Sequence, residues 1–139
     1  LAIAMVDIDF FKRINDTYGH DIGDVAIVSV AQMLSREFRT TDIVARMGGE
    51  EFCIVAVNNT SATDIMERLR RHIEALEIPL NDKESIHLTV SIGLTCTLCN
   101  SLDEMINQAD RALYQAKHGG RNRVVLLNEE AAPPASAQT

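Results

Sequence analysis

The apolar residues fall into short blocks whose spacing predicts alternating strands and helices. Residues 1–6 are apolar without alternation, which is typical of a strand covered on both faces. Helical or looped chain is expected from Phe11 to Gly23, and a helix from Asp24 to about Arg39. One stripe of this helix is expected to lie on the sheet, formed by Val25, Val28, Ala31 and Leu34.

A hairpin is predicted where two β-type runs, 43–45 and 52–57, flank a Gly-Gly pair at 48–49. Glycine supplies the positive φ that a tight reversal needs. Two carboxylates, Glu50 and Glu51, follow the turn directly, although a plain hairpin does not need them there. They therefore indicate that the turn is part of a functional site.

The second half of the chain predicts helix, strand and helix in that order. The segment 61–64 resembles an N-cap with an acidic first turn, and its helix is not expected to pass Pro79. Alternation over 86–95 predicts a strand with one buried face. Ser101 opens a capping box for a helix that ends at the glycines 119–120. The expected inward positions are Ile65, Leu69, Ile73 and Leu76 in the first helix, and Leu102, Met105, Ile106, Ala109, Leu113 and Ala116 in the second.

With a last strand at 124–127, the order of elements predicts an α+β fold. The succession of strand, helix, hairpin, helix and strand is typical of a ferredoxin-like βαββαβ core, in which helices flank a predominantly antiparallel sheet. We expect one domain over residues 1–128 and a disordered tail over 129–139, which has little to bury.

Composition narrows the classes of function. The chain has 139 residues, 46% hydrophobic and 24% charged, which suits a single core and predicts no membrane span. A net charge of −7 argues against nucleic acid as a partner, so a phosphate must be met by a few placed cations. Cys53, Cys96 and Cys99 are an odd number without a signal peptide, which indicates a reducing cytoplasm and free thiols rather than a zinc site.

A second acidic pair lies at the end of the first apolar block. In a strand, Asp7 and Asp9 project from the same face, and pairing with the hairpin brings one of them beside Glu50 or Glu51. Clustered carboxylates repel unless a cation holds them, and an oxygen-only set suits Mg²⁺. The alternative stays open that Asp7 and Asp9 cap a helix while Glu50 solvates the turn.

Two ordered motifs resemble the catalytic domain of GGDEF-family diguanylate cyclases, in its GGEEF variant. They are DIDFFKRINDTYGHDIGD at 7–24 and GGEEF at 48–52, and the resemblance extends from residue 1 to about 127. It implies a palm-type fold and the condensation of two GTP molecules into cyclic di-GMP and two pyrophosphates across a homodimer. It also implies two Mg²⁺ or Mn²⁺ ions in each active site.

In the family, a helix and an Asp-x-Leu-Thr turn precede the first strand, and this sequence contains neither. We therefore expect a truncated domain that is weak or inactive as a fragment. The resemblance also implies an N-terminal regulatory domain in the full-length protein and a cytoplasmic location, and it leaves tethering to the inner membrane open.

The resemblance assigns metal binding and catalysis to the two acidic segments. Asp7 and Glu50 match the side-chain metal ligands, the backbone carbonyl of Ile8 completes the set, and Glu51 assists catalysis. Substrate phosphates are expected to meet two backbone amides and three cations. These belong to Phe10, Phe11, Lys12, Lys117 and Arg121.

Asn15 and Asp24 match the base-reading positions of the family. A carboxylate accepts from N1–H and N2–H₂ of guanine, whereas adenine lacks the N1–H donor. Structural alternatives remain open, namely a helix N-cap for Asp24 and favourable placement at a helix C-terminus for Lys117.

The motif Arg39-x-x-Asp42 stands at the spacing of the family's inhibitory product-binding site, and Arg68 is expected to join it from a neighbouring helix. Taken alone, this motif is a weak signal and is most often a solvated helix end or turn. The leading hypothesis is an enzyme that makes cyclic di-GMP. The alternatives are a sensor that binds GTP or cyclic di-GMP without turnover, and a cyclase whose product is a monomeric cyclic nucleotide.

Overall fold

The computed structural model describes residues 1–57, 61–96 and 101–127. In chain order the elements are β1 (Ala2–Ile8), α1 (Phe11–Tyr18), α2 (His20–Glu37), β2 (Ile43–Gly48), β3 (Glu51–Ala56), α3 (Ala62–Ala75), β4 (Ile78–Pro79), β5 (Ser85–Ile86), β6 (Val90–Thr95), α4 (Leu102–His118) and β7 (Val124–Leu126). None of the helices in these ranges combines the length and the hydropathy needed to cross a bilayer.

The main sheet has five strands in the order β2-β3-β1-β6-β7, and β4 pairs with β5 in a separate small sheet. Neighbours in the main sheet are antiparallel except β6 and β7, which are parallel. Within the main sheet, the order β2-β3-β1-β6 is that of a ferredoxin-like fold. Helix α4 and strand β7 extend this core by one further strand. The predicted α+β class with a mostly antiparallel sheet is confirmed.

Helices cover both faces of the sheet, and this explains the unbroken apolar block at the start of the chain. All seven residues of β1 are buried. One face packs against α2 and α3, and the other packs against α4 through Ile3, Met5 and Leu113. Helix α4 approaches β6 closely, because a Cβ on Gly93 would lie 2.1 Å from the backbone nitrogen of Leu113.

The helix predicted from Asp24 starts earlier in the structure, and a different face of it is buried. Helix α2 begins at His20 and ends at Glu37. The predicted stripe was wrong at Val28, whose exposed fraction is 53%. Steps of three residues drift off a face with 3.6 residues per turn, and the buried positions follow the true period. They are Gly23, Ala26, Ile27, Val30 and Leu34.

The two later helices also show local differences. Ser101 accepts a hydrogen bond from the Glu104 amide at 3.2 Å, so the N-cap half of the predicted capping box is present. Leu102, however, is 53% exposed, because it precedes the stripe that contacts the sheet. Ser61 stands at the predicted start of α3, but with φ of 59° its side chain makes no capping hydrogen bond. Met66, rather than Ile65, is fully buried there.

The strand predicted over 86–95 is split. Ile86 belongs to β5, residues 87–89 lie outside strands, and β6 has both faces buried. Its polar residues find partners inside the protein, since Ser91 donates to Asp9 at 2.6 Å and the Thr95 hydroxyl donates to Gln108 at 2.7 Å. The expected one-sided strand was therefore wrong.

Two predictions fall wholly or partly outside the described residues. The tail at 129–139 and Cys99 both lie there. Cys53 is buried and Cys96 is half-buried, each as a free thiol. Burial raises the pKa of both thiols, and Asp110 adds to the effect at Cys53, so neither is activated as a nucleophile.

Candidate active site

The end of β1 meets the Gly-Gly hairpin. Asp7 stands opposite Glu51 in the β1–β3 register, and the Ile8 amide donates to the Glu50 carbonyl at 3.2 Å. Gly48 and Gly49 have φ of 146° and 44°, so the reversal uses the conformational freedom predicted for it. The fold therefore brings the two acidic segments together at one end of neighbouring strands.

Asp7 is an unusually constrained carboxylate. It is 5% exposed, its Oδ2 contacts the Lys117 ammonium, and its buried Oδ1 lacks a hydrogen-bond partner among the described residues. Burial raises the pKa of Asp7; Lys117 opposes this effect, and the charges of Glu50 and Glu51 add to it. Another cation beside Oδ1 would relieve both the unpaired oxygen and the repulsion.

Asp9, two residues further on, is fully engaged in the fold. It accepts from the hydroxyls of Thr89 at 2.7 Å and Ser91 at 2.6 Å, and from the Asn122 amide at 3.0 Å. The sequence left open which aspartate lies beside the hairpin. The structure places Asp7 there and leaves Asp9 to join β1, β6 and the loop after α4.

The donor set at the hairpin suits a hard divalent cation that also binds substrate. Asp7, Glu50 and the Ile8 carbonyl offer oxygen only, and Mg²⁺ commonly takes one or two carboxylates together with phosphate oxygens. Within the described ranges, no three His, Cys, Asp or Glu side chains form a complete metal centre. The unpartnered Asp7 oxygen is consistent with an ion whose remaining ligands come from the substrate.

The start of α1 faces the same end of the sheet. Phe10 takes a left-handed conformation with φ of 55°, and the first bond of the helix runs from the Ile14 amide to the Phe10 carbonyl at 3.2 Å. The preceding first-turn amides, beginning with Phe11, have no acceptor within the helix. Lys12 is highly exposed and pairs with Asp16 at 3.0 Å, a surface contact that a phosphate can replace at small cost.

Two further cations come from the end of α4 and the loop after it. Lys117 lies in the last turn of α4 and reaches Asp7. The Arg121 guanidinium lies 4.7 Å from the centre of the Phe10 ring. Lys117 and Arg121 therefore lie beside the acidic strand end and the start of α1, whereas Lys12 points to solvent.

The base-reading candidates lie on adjoining helices. Asn15 of α1 packs on Gly23 of α2, where a Cβ would lie only 1.8 Å from the Asn15 Oδ1 atom. That oxygen is buried and has no hydrogen-bond partner in the part of the chain that the structure describes. Asp24 is exposed and lies one turn into α2, so the N-cap alternative for it was wrong.

The proposed inhibitory residues line one cavity of about 480 Å³ between α2, β3 and α3. Arg39, Asp42 and Arg68 all face it. Asp42 accepts from the amides of Val57 at 2.9 Å and Arg39 at 3.1 Å, so its carboxylate already closes a turn. Arg68 pairs with Glu37 at 3.4 Å.

The sequence alone did not reveal the roles of Gly23 and Asn122. Gly23 lies inside the quoted motif, but only the packing of α1 on α2 shows why a side chain does not fit there. Asn122 follows a predicted phosphate ligand and has no periodic or charge signal of its own.

Fold and site together define a palm-type α+β domain with an acidic strand end facing a helix N-terminus and two cations. Residues 1–123 match the family described as "Diguanylate cyclase, GGDEF domain". The chain therefore belongs to the GGDEF family, and the predicted family membership is confirmed.

Relatives and solved structures agree with this assignment. The chain is 47% identical over 131 residues to Diguanylate cyclase A of Treponema denticola, covering 91% of this chain and 35% of that protein. It is 40% identical over 131 residues to Response regulator PleD of Caulobacter vibrioides, covering 90% and 29% respectively. The GGDEF domain of DgcB from Caulobacter crescentus, solved in complex with c-di-GMP, superposes with a TM-score of 0.83 at 34% identity, covering 91% of this chain and 77% of that one. This chain spans about a third of the length of the two relatives.

Proposed function

We propose that this domain is the catalytic part of a diguanylate cyclase that condenses two GTP molecules into cyclic di-GMP with release of two pyrophosphates. The observation that carries the proposal is the buried, unpaired oxygen of Asp7 at the GGEEF hairpin, beside Lys117 and near the start of α1. Membership of the GGDEF family supports the same activity.

Each half of the proposed reaction is a phosphoryl transfer. The 3′-hydroxyl of one GTP attacks the α-phosphorus of the other, a phosphodiester bond forms, and pyrophosphate leaves. Asp7, Glu50 and the Ile8 carbonyl would hold the divalent ions, Mg²⁺ or Mn²⁺, two in each site. When bound, such ions lower the pKa of the attacking hydroxyl and neutralise charge on the leaving group. Glu51, opposite Asp7, supports this acidic site.

The substrate is proposed to lie between the start of α1 and the end of α4. The amides of Phe10 and Phe11 together with the Lys12 side chain would bind phosphate oxygens. Lys117 and Arg121 would bind the same phosphates from the opposite side, where they neutralise the charge that develops on the pyrophosphate.

The guanine base is proposed to bind beside α1 and α2. Asp24 would accept from N1–H and N2–H₂, and the Asn15 amide would complete the base contact. The unpartnered Asn15 oxygen supports this role, because a buried amide oxygen without a donor is a costly arrangement that a ligand can relieve.

Two domains must face each other, since one domain binds one GTP and each GTP supplies the attacking hydroxyl for the other. A homodimer is therefore part of the proposed mechanism. The cavity lined by Arg39, Asp42 and Arg68 is proposed to bind the product and inhibit the enzyme. We further propose a cytoplasmic location, which the odd number of cysteines indicates. Since the relatives are much longer, we also propose an N-terminal regulatory domain in the full-length protein.

The test is product formation from GTP and Mg²⁺ by the Glu50→Ala variant, analysed by mass. We expect the full-length wild-type protein to yield cyclic di-GMP and its Glu50→Ala variant to yield none. Glu77→Ala, at an exposed position outside the site, serves as the control. Product formation by Glu50→Ala would contradict the metal assignment. GTP binding without turnover by the full-length wild type would indicate a sensor, and a monomeric cyclic nucleotide would indicate a different cyclase.

A further inference from the structure

Asn122 connects three parts of the molecule next to the proposed phosphate site. Its backbone amide donates to Asp9 at the end of β1 at 3.0 Å. Its side-chain oxygen accepts from Arg70 at 2.8 Å, and its side-chain nitrogen donates to Glu74 at 2.6 Å. Every polar group of the Asn122 side chain is thus engaged with α3.

The α3 partners of Asn122 are themselves held in place. The Arg70 side chain is 15% exposed and pairs with Glu67 at 3.1 Å and with Glu74 at 3.6 Å. The bonds of Asn122 with Arg70 and Glu74 each involve a charged partner. Charge-assisted hydrogen bonds are short and directional, so these two fix the amide plane of Asn122 as well as its position. The α3 side of the contact is therefore preorganised.

The backbone around Asn122 is conformationally restrained. Arg121 and Asn122 have φ of 64° and 46°, a left-handed conformation that is unfavourable for residues with a Cβ. Consecutive residues of this kind persist only where the surroundings determine them. The Arg121 amide donates to the Ala116 carbonyl at 2.9 Å, and the Arg123 carbonyl accepts from Ile92 at 2.9 Å, so the turn is tied on both sides of Asn122.

This turn decides where the Arg121 side chain points. Its guanidinium lies over the Phe10 ring, at the start of α1, and within the same site as Lys117. In a flexible loop, the Arg121 side chain would sample many orientations. Each binding event would then cost the conformational entropy of ordering that side chain.

We propose that Asn122, held by Arg70 and Glu74, is a positioning residue that fixes Arg121 for the triphosphate. The inference rests on the proposed function, because it takes Arg121 as a phosphate ligand. It adds that the affinity for the phosphates depends on a hydrogen-bond network rooted in α3, on residues that do not themselves contact the nucleotide.

The test compares the binding of a non-hydrolysable GTP analogue and of GMP, each with Mg²⁺, by calorimetry. Asn122→Gly keeps the left-handed backbone accessible and removes the side chain. We expect it to weaken binding of the GTP analogue about tenfold and to leave GMP binding unchanged. Glu74→Ala should show a smaller loss of the same kind, whereas Glu74→Gln should bind like wild type because its amide oxygen still accepts from Asn122.

Arg121→Ala separates failure of this inference from failure of the proposed phosphate role. If Arg121→Ala binds the GTP analogue as tightly as wild type, both are overturned. If Arg121→Ala weakens binding and neither Asn122→Gly nor Glu74→Ala does, only the positioning role is overturned.

A double variant tests whether Asn122 acts through Arg121. We expect Asn122→Gly to cause no additional loss in the Arg121→Ala background, since the two effects should be non-additive. Equal losses for GTP analogue and GMP, or full additivity, would overturn the inference and indicate that Asn122 supports the fold only. Glu74 is exposed, so its variants keep the test decisive if Asn122→Gly does not fold.

Discussion

The end of β1 and the cavity lined by Arg39, Asp42 and Arg68 both gather charged side chains, yet their charges are satisfied differently. At the end of β1, Asp7 is buried and keeps one oxygen without a partner among the described residues. In the cavity, Asp42 accepts two backbone amides and Arg68 pairs with Glu37.

At the end of β1, a bound cation would stabilise the site, whereas in the cavity a ligand must compete with hydrogen bonds and ion pairs that already exist. A cation at Asp7 relieves repulsion and supplies a missing partner, so binding there is favoured by the fold itself. A ligand in the cavity has to replace contacts that already exist. We therefore expect large effects from changes at the end of β1 and modest effects from changes in the cavity.

The largest effect is expected for Asp7→Asn. Loss of a charged metal ligand should lower kcat for cyclic di-GMP formation by more than about 10²-fold, since it removes charge stabilisation from the transition state. Steady-state kinetics of the full-length protein with GTP and Mg²⁺ measure this, with the exposed Asp82→Asn as control. Retention of most activity would remove the distinction between the two regions.

Gly23→Ala is expected to have the next largest effect. The added Cβ would lie 1.8 Å from the Asn15 Oδ1 atom and displace that amide, so KM for GTP should rise about tenfold with a smaller change in kcat. The control is Asn15→Ala, which removes the clash. In that background Gly23→Ala should add little, and full additivity would show that Gly23 matters for helix packing alone.

A smaller effect is expected for Glu37→Gln in the cavity. Glu37 contacts both Arg68 and His72. Removing its charge should free Arg68 for an anionic product, so inhibition by cyclic di-GMP should tighten about threefold. Inhibition assays against the exposed control Glu77→Gln measure it. Weaker inhibition would mean that Glu37 positions Arg68 rather than competing for it.

The smallest effect is expected for the stability of Asp7→Asn, which should rise slightly although the activity of this variant falls. The raised pKa of Asp7 means that the folded state binds its proton more tightly than the unfolded state, so stability is lost as pH rises through that pKa. At neutral pH without Mg²⁺, Asp7→Asn should therefore melt slightly above wild type. The gap should close below the ordinary aspartate pKa of 3.8, where both states are protonated.

Mg²⁺ provides the internal control for this stability measurement. Adding it should raise the melting temperature of wild type and not that of Asp7→Asn, because the variant lacks the Asp7 carboxylate that binds the ion. A lower melting temperature of Asp7→Asn in the absence of Mg²⁺ would show that the contact with Lys117 outweighs the cost of burying the charge.

Much of the fold could be predicted from the sequence because its signals are local. The turn at Gly48 and Gly49 and the cap at Ser101 depend on residues within a few positions of each other, and both are present in the structure. The βαββαβ order followed from the succession of apolar blocks. The acidic residues that meet at the hairpin also followed, because period-two geometry and strand pairing dictate which ends approach.

Other features required distant parts of the chain. Asp7 and Asp9 have the same local pattern, and only the positions of Lys117, Ser91 and Asn122 give them different partners. The phase of α2 and the burial of both faces of β6 depend on which helices pack there, and Gly23 matters because α1 lies against it. Short-range periodicity determines which elements form, whereas burial and charge pairing come from contacts between residues far apart in sequence, and those only the folded structure decides.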